Sequence, residues 1–233
     1  MFIGIGNPIP ELSNLPGASR PGGGGTPIPP GPPALAQVNN VYSMEFDGIN
    51  DFIDVGNDSS LSPTSQLSVS AWVKDTGTSA GTFPCIIGNV SASANNGGFI
   101  LAKNLNKWKF YLDTTGNSGW AVAESNETVV INSWQHLCVT WDGSTVIMYL
   151  NGQAQTTTAS ASQIVYNADT ETVIGEYRAG TDYFGGKIDE VALFDTALTE
   201  EKVQSIYNAT ETGKTADLND LTTPPVKWYR MGD

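Results

Sequence analysis

With 233 residues and 39% hydrophobic side chains, the chain is long enough to bury one large core or two small ones. Only 15% of its residues are charged, yet the formal net charge is -13. Polyanions and anionic membrane surfaces would therefore be repelled, and nucleic acid is not an expected partner. The two cysteines, Cys85 and Cys138, are too few for a disulfide scaffold, although a single bridge between them stays open. Two cysteines and the lone His136 do not make a zinc site. No run of about 18 apolar residues exists to cross a membrane as a helix, so no membrane insertion is expected.

Residues 1–40 hold nine of the 13 prolines and the run Gly22–Gly25. Proline lacks an amide hydrogen and glycine resists ordering, so this segment reads as extended polyproline-like stretches joined by flexible points. Its start, MFIGIGNPIPELSN, has no positively charged region, and Pro8 and Pro10 interrupt any apolar run. It is not expected to be a secretory signal. A pure spacer does not need Phe2, Ile3, Ile5, Ile9, Leu12 and Leu15. Met1–Leu15 is therefore expected to anchor along a partner, with Pro16–Ala36 as the tether. Plain disorder is the competing reading.

From Val41 to the end, residues 41–233 are expected to form one β domain. Tyr42, Met44 and Phe46 alternate with polar residues, and Phe52, Ile53 and Val55 follow a Gly48–Asp51 turn. In LSVSAWVK, Leu67, Val69, Ala71 and Val73 fall on one face and Ser68, Ser70, Trp72 and Lys74 on the other. Short strands are expected at Phe99–Leu101 and Trp108–Asp113. Trp134–Trp141 leads into the turn Asp142-Gly143. Val146–Leu150 leads into Asn151-Gly152, the strongest hairpin dipeptide in the chain. Val173-Ile174-Gly175 opens the last section.

Asp182–Tyr207 reads as a strand containing Ile188, Val191, Leu193 and Phe194, then a short helix. Thr199 sits at the N-cap, with Glu200 and Glu201 in the first turn. Leu198 and Val203 are spaced as a hydrophobic staple, and Val203, Ile206 and Tyr207 share a helical face. Many strands at this spacing, nearly without helix, indicate a sandwich or barrel.

Four segments carry a family resemblance. They are SMEFDGINDFIDVGN (Ser43–Asn57), SVSAWVK, SWQHLCVTWDGSTVIMYLNGQ (Ser133–Gln153) and Phe184–Val191 with Leu198-Thr199 and Val203. In this order, over about Val41 to Ala209, they resemble laminin G-like domains, the concanavalin A-like jelly rolls. The resemblance implies an all-β fold: a concanavalin A-like (laminin G-like) jelly-roll β-sandwich with one short C-terminal helix and an extended N-terminal arm. Lys202 departs from the pattern, which often has an acid there. Cys138 stands where the pattern has a small aliphatic residue, so it is expected to be a buried hydrophobe.

Glucanases of this fold need an E-x-D-x-x-E strand with carboxylates flanking the sugar bond. No such strand is found: Asp189-Glu190 lacks a third acid, and Asp169, Glu171 and Glu176 do not fit the spacing. His136 matches the family's W-x-H position, and no G-x-S-x-G elbow supports a nucleophile. The protein is expected to be non-enzymatic, with His136 structural.

Relatives often bind Ca²⁺, which implies a structural calcium held by Asp47 of the first strand and Asp189 of the closing motif. The competing reading is that these acids cap turns. Jelly rolls also bind glycans by stacking sugars on exposed aromatics. Trp108, Trp120, Tyr177, Tyr183, Asn95 and Asn96 are the candidates. Trp120, Tyr183, Asn95 and Asn96 are preferred, and Trp120 is expected to be the most exposed.

Laminin G-like domains usually work outside cells. The arm followed by such a domain resembles structural proteins, of decoration or fibre type, of marine tailed phages. The expectation is a virion protein, anchored through the arm to other virion or assembly subunits and displaying an adhesion or glycan-binding module to cell-surface glycans. It is expected to be homo-oligomeric or part of a large assembly. The alternative is a bacterial extracellular or cell-surface carbohydrate-binding module.

Overall fold

The computed structural model describes residues 34–91, 97–116, 119–177 and 182–233. The proposed anchor, Phe2 to Leu15, lies outside the described residues, as do Asn95 and Asn96.

Period-two patterning becomes strand wherever the sequence carries it. In chain order the strands are β1 (Gln37–Asn39), β2 (Met44–Asp47), β3 (Ile53–Gly56), β4 (Leu67–Asp75), β5 (Cys85–Ser91) and β6 (Phe99–Asn104). They continue with β7 (Lys107–Asp113), β8 (Trp120–Glu124), β9 (Gln135–Trp141), β10 (Thr145–Leu150), β11 (Gln153–Ala154) and β12 (Ala159–Ser160). The last are β13 (Thr170–Ile174), β14 (Glu176–Tyr177), β15 (Asp182–Tyr183), β16 (Gly185–Phe194), β17 (Lys214–Ala216) and β18 (Lys227–Tyr229). The helix α1 spans Glu200–Asn208.

One sheet has the order β11-β10-β9-β4-β16-β18, with β12 also on β10 and β2 on β16. The other has the order β3-β13-β5-β6-β7-β8. Their pairings are antiparallel. This is the jelly-roll sandwich expected from the sequence. The core lies between the sheets, where Val69, Ala71 and Val73 of β4 belong to one cluster with Phe99, Trp108 and Phe110.

The second face of β4 departs from the simple reading. Ser68, Ser70 and Trp72 alternate as a solvent face should, but all three are buried. The helix and the loop before it cover them. Ser68 Oγ donates to the Thr196 carbonyl at 2.7 Å and accepts from Leu198 N–H at 2.9 Å. Thr199 caps α1 as expected, accepting from Lys202 N–H. Val203 and Ile206 then pack with Leu198, Phe194 and Tyr149 in a second apolar cluster. Cys138 belongs to this cluster, Cys85 lies on β5 of the other sheet, and both thiols are free and buried. No bridge joins them.

Two hairpins use left-handed residues. Asn151 and Gly152 have φ of 52° and 75°, which fits the expected two-residue turn. Leu105 and Asn106 repeat the geometry at 50° and 62° between β6 and β7. A leucine there, 84% exposed, gains no packing and crowds its own backbone. Replacing Leu105 by Asn should raise the unfolding free energy by about 1 kcal/mol in urea titrations.

β2 and β18 lie end to end along β16, on the side away from β4. β2 pairs with Gly185–Ile188 and β18 with Val191–Leu193. Asp189 and Glu190 fall in the gap between them. There the β16–β4 register shifts and Glu190 adopts φ 51°.

Candidate functional site

The outer face of the six-stranded sheet carries the candidate site. Trp108, Phe110 and Leu112 of β7 point into the core, so alternation sends Lys109 and Tyr111 outward. In the same way Phe99 and Leu101 of β6 face inward and Ile100 outward, and on β8 Trp120 faces outward. Phe83 joins from the segment before β5. Its position is fixed by Asp182, whose Oδ1 accepts from Thr82 N–H at 2.6 Å and Phe83 N–H at 2.8 Å. Tyr177 closes the group from the end of β14.

Phe83, Ile100, Tyr111, Trp120 and Tyr177 line an apolar hollow of about 110 Å³. Tyr111 and Trp120 meet edge to face, with ring centroids 6.3 Å apart at 87°. Phe83 tilts against Tyr111 at 5.3 Å and Tyr177 at 6.3 Å. The four aromatic rings are half-buried, so part of each remains open to solvent. Beside them Glu124 takes ion pairs from Lys107 at 2.9 Å and Lys109 at 3.1 Å. Hydrogen bonds from these lysines hold the Glu124 carboxyl below its ordinary range. Burial, assisted by the Glu124 charge, pushes the Tyr111 phenol up to about 12. It therefore stays neutral near pH 7 and can both donate and accept a hydrogen bond. Aromatic faces with a hydroxyl at the rim suit a ligand with one apolar face and polar edges.

Trp120 and Tyr177 thus lie in the hollow. Trp108 does not: it is fully buried, its Nε1–H donating to Gln135 Oε1 at 3.0 Å. Tyr183 sits opposite Glu176 on β15 and is not among the lining residues. Phe83, Ile100 and Tyr111 are lining residues not singled out in the sequence. Tyr111 had a readable signal, since it shares the outward face of β7 with Lys107 and Lys109.

The two predicted calcium ligands are not brought together. Asp47 is exposed, and its Oδ1 accepts from Ile49 N–H at 2.7 Å and Asn50 N–H at 3.1 Å. These bonds hold its carboxyl below the ordinary range, so Asp47 caps its own turn. The register places it opposite Gly185, four residues and roughly 13 Å along the strand from Asp189. Among the described residues no three His, Cys, Asp or Glu side chains converge to hold a metal.

Asp189 is instead buried, with Oδ1 accepting from Glu190 N–H at 2.8 Å. Glu190 Oε2 accepts from Trp228 Nε1–H at 2.5 Å, and its Oε1 lies 3.4 Å from Arg230 Nε. Burial pushes both carboxyls up, Asp189 to about 8 with help from the Glu190 charge and Glu190 to about 7. Neither is open to a polymeric substrate.

His136 is buried on β9 under α1. Its Nε2 is 2.9 Å from Ser70 Oγ, and its ring lies 5.1 Å from Trp72 and 6.1 Å from Tyr207. Burial pushes its pKa down to about 3, and Nδ1 has no partner. Among the described residues no carboxylate is hydrogen-bonded to it, as a triad would require.

The Laminin_G_3 family model, Concanavalin A-like lectin/glucanases superfamily, matches residues 47–204, more than half of the chain. The chain belongs to this superfamily. A search of curated proteins finds no match. Several solved structures share the concanavalin A-like fold at low identity. The carbohydrate-binding module CBM40 of the Ruminococcus gnavus IT-sialidase, bound to α2,3 sialyllactose, is 14% identical with a TM-score of 0.58. That alignment covers 75% of this chain and 100% of the module. Domain 4 of an extracellular GH43 arabinanase from Geobacillus stearothermophilus, in complex with arabinotriose, is 19% identical with a TM-score of 0.52. It covers 74% of this chain and 80% of that domain. A heptameric SAP-like pentraxin from Limulus polyphemus is 18% identical with a TM-score of 0.52, covering 75% and 91%.

Proposed function

We propose that this concanavalin A-like domain is a non-enzymatic glycan-binding module that stacks a sugar ring on Trp120 and Tyr111. The observation that carries the reading is the half-open aromatic hollow on an outer sheet face. The superfamily membership supports it, as do structural neighbours that hold sialyllactose and arabinotriose. A hollow of about 110 Å³ is smaller than the pockets that enclose drug-sized ligands. It suits one sugar face, with modest affinity per site.

Replacing Trp120 by Ala should weaken binding at least tenfold, about 1.4 kcal/mol, in glycan-array screening followed by calorimetry. Because Trp120 is half-buried, the melting temperature should change little. Undiminished binding by the W120A variant would remove the hollow from consideration.

The finer placement rests on residues 1–40. We propose that this arm tethers the module to other subunits of a virion, with an extracellular or cell-surface location as the alternative. Its proline and glycine content supports a tether. Regular pairing begins at Gln37, against Ala216, so deleting residues 1–33 leaves β1 intact. The truncated protein should bind glycans normally and fail to enter particles. Incorporation without the arm, or particles that lack the protein altogether, would defeat the virion reading.

A further inference from the structure

Six large apolar side chains are exposed among the described residues: Val41, Tyr42, Ile49, Leu105, Val130 and Ile131. Three of them come together at one end of the sandwich. Leu105 stands at the tip of the β6–β7 hairpin, while Val130 and Ile131, 49% and 42% exposed, lie on the loop between β8 and β9. Val129 N–H donates to the Asn106 carbonyl at 2.9 Å, so this loop runs against the hairpin turn. Asn132 N–H donates to the Asp75 carbonyl at 2.7 Å, which fastens the loop to the end of β4. Folding does not explain Leu105. It holds φ 50°, a left-handed conformation that a residue with a Cβ adopts at a cost, where Asn-Gly would close the same turn without strain. A strained side chain that buries nothing points to function rather than stability.

The make-up of the tip says what it meets. Residues 104–106 and 128–133 include no charged side chain, and apart from the valines, Leu105 and Ile131 they are Asn, Thr and Ser. The adjoining Lys107 is paired with Glu124 at 2.9 Å, and Glu127 is exposed at the start of the loop. Three side chains on two projecting turns fall far short of the roughly 800 Å² per partner that a stable protein interface buries. A convex, uncharged apolar tip instead fits a deformable surface, the boundary between lipid headgroups and acyl chains. The net charge of -13 works against anionic lipid, which leaves zwitterionic headgroups.

We propose that this tip docks the domain on a zwitterionic lipid surface, with Leu105, Val130 and Ile131 entering the headgroup–acyl boundary. Such a tip reaches about 5–10 Å into a bilayer, so the contact is peripheral and reversible. β7 leaves the tip at Lys107 and reaches Tyr111 roughly 13 Å further along. A docked tip therefore brings the aromatic hollow within reach of sugars carried on lipid headgroups. That consequence rests on the hollow binding glycans; the lipid contact itself does not.

The test floats the full chain with phosphatidylcholine vesicles on a density gradient. The parent should co-float, and L105N should lose roughly fivefold or more in partition. L105N should also show an undiminished urea midpoint and keep the parent's affinity for free glycan. Lost flotation is then not lost folding, and a failed hollow gives a different result from a failed tip. The apolar side chains of residues 1–15 offer lipid a second contact, so L105W adds a local signal. Its emission, less that of the parent, should shift to the blue with vesicles and be quenched by brominated lipid. The proposal is overturned if the parent does not float, if L105N floats as well as the parent, or if the L105W emission is unmoved by vesicles. A parent dimer that L105N dissociates would also overturn it, in favour of a second copy as the occupant.

Discussion

Replacing Trp108 by Ala should lower the unfolding free energy by about 3–5 kcal/mol, read as a lower urea midpoint. The indole is fully buried, and it packs in the central cluster with Phe110 and Leu112 of its own strand. Truncation leaves a large cavity that a sandwich held on both sides cannot collapse to fill. It also removes the indole N–H that Gln135 Oε1 accepts; Gln135 Oε1 keeps its bond from Val130 N–H at 3.1 Å. Glycan affinity per folded molecule should be unchanged. The pair W108A and W120A therefore separates the two roles of tryptophan on adjacent strands: one variant loses stability, the other binding. A cost below about 1 kcal/mol for W108A would mean that Trp108 is not part of the core.

Acidification should destabilise the protein through His136. Its folded pKa is pushed to about 3 by burial, against an ordinary value of 6.5. Between these values the unfolded chain binds a proton that the folded chain refuses. Stability from this residue is therefore fully present above pH 6.5 and is lost as the pH falls towards 3. At pH 4 the loss should be on the order of 3 kcal/mol. The sign is isolated by comparison with H136Q, which keeps a polar group near Ser70 but does not titrate. H136Q should be less stable than the parent at pH 7, and the gap should narrow or reverse by pH 4. A constant gap across that range would show that His136 is reached by solvent or protonated in place.

Strand identity was largely legible because it is local. Asn151-Gly152 names its own turn, and Thr199 with Glu200 and Glu201 names its own helix start. The inward face of β4 was legible for the same reason. Its other face was not. Nothing in Ser68, Ser70 and Trp72 reports that a helix more than 120 residues later will cover them, so alternation reads as exposure. The hollow was half legible: Trp120 and Tyr177 stand among the candidate aromatics, but Phe83, Ile100 and Tyr111 reach it from segments whose meeting depends on sheet order. Asp47 and Asp189 were placed on the right pair of strands. Their separation depends on register, which a family pattern does not carry, and on a bulge that re-aims Asp189 and Glu190.

The arrangement of β2 and β18 along one strand also bears on how the chain is made. Met44 finds its partner only when Ile188 has left the ribosome, and at about 5–20 residues per second that delay is on the order of ten seconds. The β9–β10 hairpin, whose residues are close in sequence, can form well before then. During the interval the apolar residues of β2 have no sheet to join. The nascent chain passes through a period in which its first sandwich strand is exposed, and slowing translation would lengthen it.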